Sequence, residues 1–218
     1  ISTSVAPVMW NGIKINLLDA PGYLDFIGEV YQTMRVADAA MIVVDGKAGI
    51  EVGTELAWDY AEAAGLPRAF FINKFDDNEA RFAKILDALH EKFGRKICPL
   101  TIPMVKDGVV IGAIDLVARE AHVFDATGRH SIHPIPEESQ EAADKYRDML
   151  LEAVASADED LMEKYFGGED ITTMISQHTG RHSYEVPSCK RKHLPHQIFF
   201  KHRSVATFRK ILPAINAI

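Results

Sequence analysis

The sequence predicts an α/β fold, a doubly wound and mainly parallel sheet, followed by an α+β lobe. Short apolar runs ending in Asp or Asn alternate with segments of helical period, the pattern of strands joined by crossover helices. After Gly94 the pattern changes to strand-like segments paired around Asp107-Gly108 and Thr127-Gly128, which read as hairpins. At 218 residues and 47% apolar, the chain can bury one sizeable core, or a core plus a smaller lobe.

Each element follows from its residues. Ile1-Ser2-Thr3-Ser4-Val5 reads as the middle of a strand rather than a natural start, so the chain is expected to be a fragment. Ile13 to Leu18 alternates as a strand and runs into Asp19-Ala20-Pro21-Gly22, a turn that Pro stiffens and Gly loosens. Leu24 to Val36 reads as a helix. Ala39 to Val44 is a continuous apolar run ended by Asp45-Gly46, which suits a strand buried on both faces of a parallel sheet. Glu51 to Ala64 is a helix stopped by Gly65 and Pro67, Arg68 to Ile72 a buried strand, and Asp77 to Phe93 an amphipathic helix stopped by Gly94. Three strands separated by helices imply right-handed crossovers, with Asp19, Asp45 and Asn73 at the carboxyl ends where such sheets bind ligands. Thr101 to Val105 and Val109 to Val117 form a hairpin across Lys106-Asp107-Gly108, and a second hairpin surrounds Thr127-Gly128. Pro136 to Tyr165 supplies about two helices.

Bulk properties exclude several classes. No apolar run approaches the roughly 20 residues that cross a bilayer, and no secretory leader opens the sequence, so a cytoplasmic protein without a membrane partner is expected. Two cysteines, Cys98 and Cys189, are too few for a disulfide framework and are expected as thiols. A net charge of -7 gives no uniform basic surface for RNA. The acidic body nevertheless ends in a basic tail. Residues 178 to 210 carry eight Lys and Arg, one acid and five of the nine histidines, leaving 16 basic and 30 acidic side chains in residues 1 to 177. Within the tail Cys189, His193 and His196 have a spacing that suits zinc, but no fourth ligand completes the set. His130 and His133 read as surface hairpin residues.

The strongest chemical signal is Asn73-Lys74-Phe75-Asp76, directly after the strand Arg68 to Ile72. A carboxylate at Asp76 can accept from both N1 and the exocyclic amine of guanine, a donor pair that adenine does not present. Asn73 can serve the other edge of the base, and the Lys74 stem can pack on the ring. A site built this way rejects an analogue lacking those groups, because its own polar atoms are then left unpaired. The second signal is Asp19-Ala20-Pro21-Gly22. An Asp there can hold Mg2+ through a water, and Gly22 lets a backbone N–H approach a terminal phosphate. Each motif alone also fits an ordinary strand end or turn. Their placement on one edge of one sheet makes the pair specific.

Over residues 1 to about 176 the chain resembles elongation factor G and its close relatives. The match is carried by Asp19-Ala20-Pro21-Gly22-Tyr23-Leu24-Asp25-Phe26, Glu29-Val30, Arg35-Val36, Val44-Asp45-Gly46 with Ala48-Gly49-Ile50-Glu51, and Asn73-Lys74-Phe75-Asp76. Pro99 to Pro103, Gly112 to Val117, His133-Pro134-Ile135-Pro136 and Leu161 to Tyr165 resemble the insert that this family carries within its GTP-binding domain. The resemblance implies a doubly wound sheet of the P-loop GTPase type with an inserted α+β lobe. It divides the chain into a GTP-binding core (1–97), the inserted lobe (98–176) and a basic tail (177–218) that returns to the core near 209–218. It implies a monomeric, ribosome-dependent GTPase that binds GTP or GDP with Mg2+ and engages rRNA and ribosomal proteins.

Three departures qualify that resemblance. The family's phosphate loop and its switch threonine are expected upstream of Ile1, which would leave this fragment inactive alone. Tyr23 stands where the family has a histidine that positions the attacking water, as in an elongation-factor-G-like paralogue rather than the housekeeping translocase. A tyrosine hydroxyl can donate and accept, but it is bulkier and does not titrate near neutrality. Finally, the tail lacks the family's pattern. A shifted reading frame over roughly 178 to 208 and a genuine basic extension both account for it. Two functions therefore stand. One is an enzyme with Tyr23 at its catalytic centre and Asp19, Ala20, Pro21, Gly22, Asn73, Lys74 and Asp76 binding GTP. The other is a GTP-binding ribosome-interaction module with little hydrolysis. A metal-dependent phosphatase built on Asp19, Asp45 and Asp76 ranks last, since it leaves Asn73-Lys74 unexplained.

Overall fold

The computed structural model describes residues 1–10, 13–74, 82–95, 97–106, 109–124, 130–155, 162–163 and 166–168. They fall into two compact units, one within residues 1–73 and one within residues 74–183.

The first unit opens with an antiparallel pair, β1 (Ser4–Trp10) and β2 (Ile13–Asp19), in a register that sets Ser4 opposite Asp19. The residues before Ser4 are not strand, so extended pairing starts later than the sequence suggests. The helix expected from Leu24 begins instead as a 3-10 turn over Leu24–Phe26, closed by the Phe26 N–H donating to the Tyr23 carbonyl at 3.0 Å. The α-helix proper, α1, covers Ile27–Val36.

Strands β3 (Ala40–Asp45) and β4 (Arg68–Asn73) are parallel, with Ala40 opposite Arg68 and Asp45 opposite Asn73, and α2 (Val52–Ala63) connects them. At the start of α2 the Glu51 N–H donates to Thr54 Oγ1 at 3.3 Å, satisfying a backbone donor that has no partner within the helix. At its end Gly65 adopts φ +65° and its N–H donates to the Glu62 carbonyl at 2.8 Å, a left-handed stop that residues with a Cβ disfavour. The apolar run of β3 is not buried on both faces as expected. Ala40, Ile42 and Val44 are buried while Val43 is 60% exposed, the alternation of a strand covered on one side. Burying Ile42 and Val44 stabilises the unit by about 1.5–3 kcal/mol each. Arg68 closes the sheet's start by lying 4.0 Å over the Trp58 ring, which itself stacks on Phe70, and by pairing with Glu62 at 3.2 Å.

In the second unit α3 (Phe82–Phe93) buries Ile85, Leu86 and Leu89, one stripe of an amphipathic helix. It stops at Gly94, φ +96°, whose N–H donates to the His90 carbonyl at 3.0 Å. The four strands β5 (Thr101–Lys106), β6 (Val109–Asp115), β7 (Glu120–Phe124) and β8 (His130–His133) form one antiparallel sheet in that order. The strands of the two expected hairpins are thus paired, their turns at Asp107-Gly108 and Thr127-Gly128 lie outside the described residues, and His133 is exposed on β8. Helix α4 (Glu137–Ala155) supplies the first of the two helices expected after Pro136. It turns Ala143, Arg147 and Leu150 inward, and the Arg147 guanidinium donates to the carbonyls of Leu116 and Val117, just beyond β6. Phe82 meets Tyr146 edge-to-face at 5.4 Å, linking α3 to α4. Cys98 is a buried free thiol, and that burial pushes its pKa up to about 12. Cys189, His193 and His196 lie outside the described residues, as does the rest of the basic tail. No helix among the described residues is long and apolar enough to cross a membrane.

Candidate functional site

Two strand ends gather the candidate residues of the first unit. Asp45 and Asn73 end β3 and β4 side by side, and the Gly46 N–H donates to the Asn73 carbonyl at 2.8 Å, locking the two following loops together. The Asp45 carboxylate folds back on its own turn, where Oδ1 accepts from the Lys47 and Ala48 N–H groups at 2.8 and 3.1 Å. Such an Asx turn spends the carboxylate on the backbone, which weighs against Asp45 as a metal ligand. Among the described residues no cluster of three or more His, Cys, Asp and Glu could hold a metal ion.

Asn73 is exposed, and Lys74 after it takes φ +55°, a left-handed conformation that costs a residue with a Cβ about 1–3 kcal/mol. The chain is thus turned sharply at the Asn73-Lys74 step. Asp76 lies outside the described residues.

Asp19 ends β2 with its side chain exposed and, among the described residues, without a hydrogen bond or ion pair. Ala20, Pro21 and Gly22 form the loop that follows. A Cβ placed on Gly22 would meet nothing within 4 Å, so its backbone faces open space. One placed on Gly53 would lie 3.7 Å from the Gly22 carbonyl, so the first turn of α2 rests against this loop. Tyr23 is 73% exposed. The sequence places Asp19 and Asn73 on one edge of one sheet, but β2 pairs with β1 whereas β3 pairs with β4. Among the described residues no ladder joins the two pairs.

Residues 1–196 match the family described as the elongation factor Tu GTP binding domain. The chain belongs to that family. A solved structure from Thermus thermophilus is 38% identical, with a TM-score of 0.72, over 78% of this chain and 26% of that one. The chain therefore spans about a quarter of the length of that protein. Within this family of translational GTPases it is of the elongation factor G type, as the motifs from Asp19 to Asp76 imply.

The residues present fit what such a GTP-binding domain holds. Asp19 offers a solvated carboxylate at a strand end, unpartnered among the described residues, a hard oxygen donor of the kind that suits Mg2+. The open space where a Gly22 side chain would stand is compatible with a ligand close to this loop.

One cluster, joining Thr3, Glu29 and Thr33, is not legible in the sequence as a cluster. Glu29 Oε2 accepts from both the N–H and the Oγ1 of Thr3 at 2.9 Å, and Thr33 Oγ1 lies 3.1 Å from Thr3 Oγ1 while donating to the Glu29 carbonyl at 2.8 Å. The bonds from Thr3 hold the Glu29 carboxyl below its ordinary value of 4.5, so it is ionised across the neutral range. No local spacing rule connects residue 3 with residue 29. Only Glu at the third position of a helix, usually reserved for reaching back to the helix start, hints at a role.

Proposed function

We propose that this chain is the nucleotide-binding part of a ribosome-associated GTPase that hydrolyses GTP to drive a step of translation elongation. The observation that carries the reading is the family match over residues 1–196, on a chain whose strand ends present Asp19 and Asn73-Lys74. In this reading Asn73, Lys74 and Asp76 hold guanine, while Asp19, Ala20, Pro21 and Gly22 meet the phosphate end. Mg2+ would there neutralise charge on the phosphates, with Asp19 holding it through a water. The Gly22 N–H donates to the terminal phosphate, and Tyr23 orients the attacking water through its hydroxyl.

The finer architecture belongs to the same reading. Residues 1–97 form the core, in which β2, β3 and β4 belong to one doubly wound sheet of the P-loop GTPase type. Residues 98–176 form the inserted lobe. The working protein is a cytoplasmic monomer in contact with rRNA and ribosomal proteins. One observation favours a second reading, a nucleotide-binding module with weak turnover: the family's water-positioning histidine is a tyrosine here.

Nucleotide selectivity tests the proposal. In the full-length protein Asp76→Asn should weaken GTP binding by roughly 10- to 100-fold, as expected for a lost charge-assisted pair worth about 1.5–3 kcal/mol. It should at the same time improve xanthosine triphosphate binding, whose altered edge suits an amide. Calorimetry with both nucleotides reads the two effects, and an unchanged preference for GTP removes Asp76 from the site.

A further inference from the structure

The segment from Asp19 to Glu29 leaves β2, passes the Ala20–Gly22 loop and the Leu24–Phe26 turn, and enters α1. Its own side chains do little to fix it. Tyr23 and Leu24 are 73% and 54% exposed, the helix start at Phe26 has no side-chain cap, and α1 contributes no fully buried residue. An edge-to-face contact between Tyr31 and Tyr60 joins α1 to α2, and polar groups tie α1 to the start of the chain.

Those groups converge on two consecutive residues. Ser4 stands opposite Asp19 in the β1–β2 ladder and holds one end of the segment. Thr3 holds the other end, giving both its N–H and its hydroxyl to Glu29 Oε2 at 2.9 Å. Because Thr3 and Ser4 are adjacent, the two attachments close the segment into a loop whose ends cannot drift independently. We propose that Glu29 is a positioning residue: by clasping Thr3 it sets the geometry of the Asp19–Phe26 loop in which the phosphate-end groups sit. The inference rests on the reading of Asp19, Gly22 and Tyr23 given above. In this role Glu29 acts through the loop it holds, by way of its bonds to Thr3.

Chemistry decides which variants are informative. Glu29→Ala removes the acceptor. Glu29→Gln keeps a carbonyl oxygen for the Thr3 N–H, so it should preserve most of the clasp, and Thr3→Val removes the hydroxyl while leaving the N–H.

Hydrogen–deuterium exchange of residues 20–26 in the full-length protein tests the clasp without any turnover. Glu29→Ala should raise exchange there tenfold or more while β3 and β4 keep their protection, Glu29→Gln should restore most of it, and Thr3→Val should fall between. Ribosome-stimulated hydrolysis tests the consequence. Glu29→Ala should lower kcat about tenfold with KM for GTP within about twofold, since a displaced positioning group costs the transition state rather than ground-state binding. Unchanged exchange at 20–26 in both Glu29→Ala and Thr3→Val overturns the clasp whatever the kinetics. Raised exchange with unchanged kcat overturns the positioning role. If the wild type shows no stimulated hydrolysis, the proposed activity falls and the positioning role with it, while the exchange data still decide the clasp. Should Glu29→Ala also lose protection in β3 and β4, the contrast between Glu29→Gln and Thr3→Val carries the decision.

Discussion

At position 23 an aromatic side chain follows Pro21-Gly22, and 73% of its surface is exposed. Its hydroxyl has no hydrogen bond among the described residues, so it is open to solvent. If Tyr23 positions that water, Tyr23→Phe should reduce ribosome-stimulated hydrolysis by about 100-fold with GTP affinity nearly unchanged, because the lost interaction belongs to the transition state. If the protein mainly binds, Tyr23→Phe should be silent and Tyr23→His should raise turnover. Single-turnover phosphate release for the three side chains separates these outcomes, and identical rates move the role elsewhere. Tyr23 could be singled out from sequence because it departs from a known pattern. Glu29-Val30 carries part of the family resemblance, but the contact of Glu29 with Thr3 across the fold could not be read there.

Helix ends were the most legible elements, because their signals are local. Gly65 and Gly94 both take the left-handed conformation where the sequence demands a stop, and Gly112 is needed for a different reason. It sits on β6 opposite Val123 of β7, where an added Cβ would come within 2.2 Å of the His122 carbonyl oxygen. That neighbour is backbone and cannot swing aside. Gly112→Ala should therefore force β6 and β7 apart at the centre of the four-stranded sheet and destabilise the second unit by about 1–3 kcal/mol. Thermal unfolding checks it, and an unchanged Tm would show that the strands part more easily than their ladder suggests. The degree of burial of β3 was less legible than its existence. A run of Ala, Met, Ile and Val fits a strand covered on either one face or two, and only packing chose one.

For the whole molecule, what matters is which groups the polypeptide itself can bring to a nucleotide. From Ile1 to Ile218 the sequence contains no Gly-x-x-x-x-Gly-Lys segment to cradle phosphates, and such backbone amides with their lysine supply much of the affinity in these sites. The isolated polypeptide should therefore bind GTP weakly, with a dissociation constant above micromolar, and should not hydrolyse it. Equilibrium dialysis measures this, and micromolar binding would mean that Asp19 to Gly22 and Asn73 to Asp76 suffice by themselves.

The family, the strand-and-helix order from Ile13 to Gly94, the paired strands after it and the identity of the candidate ligands were all legible along the chain. Those features are written in periodicity, turn residues and short motifs, each set by neighbours close along the chain. Tertiary structure alone decided which faces of β3 are covered, that the Asp45 carboxylate is spent on Lys47 and Ala48, and that Gly53 rests against Gly22. It alone decided that Thr3 meets Glu29. These are consequences of how distant segments pack, and a hydrogen bond between residues far apart in sequence leaves no period or spacing from which to read it.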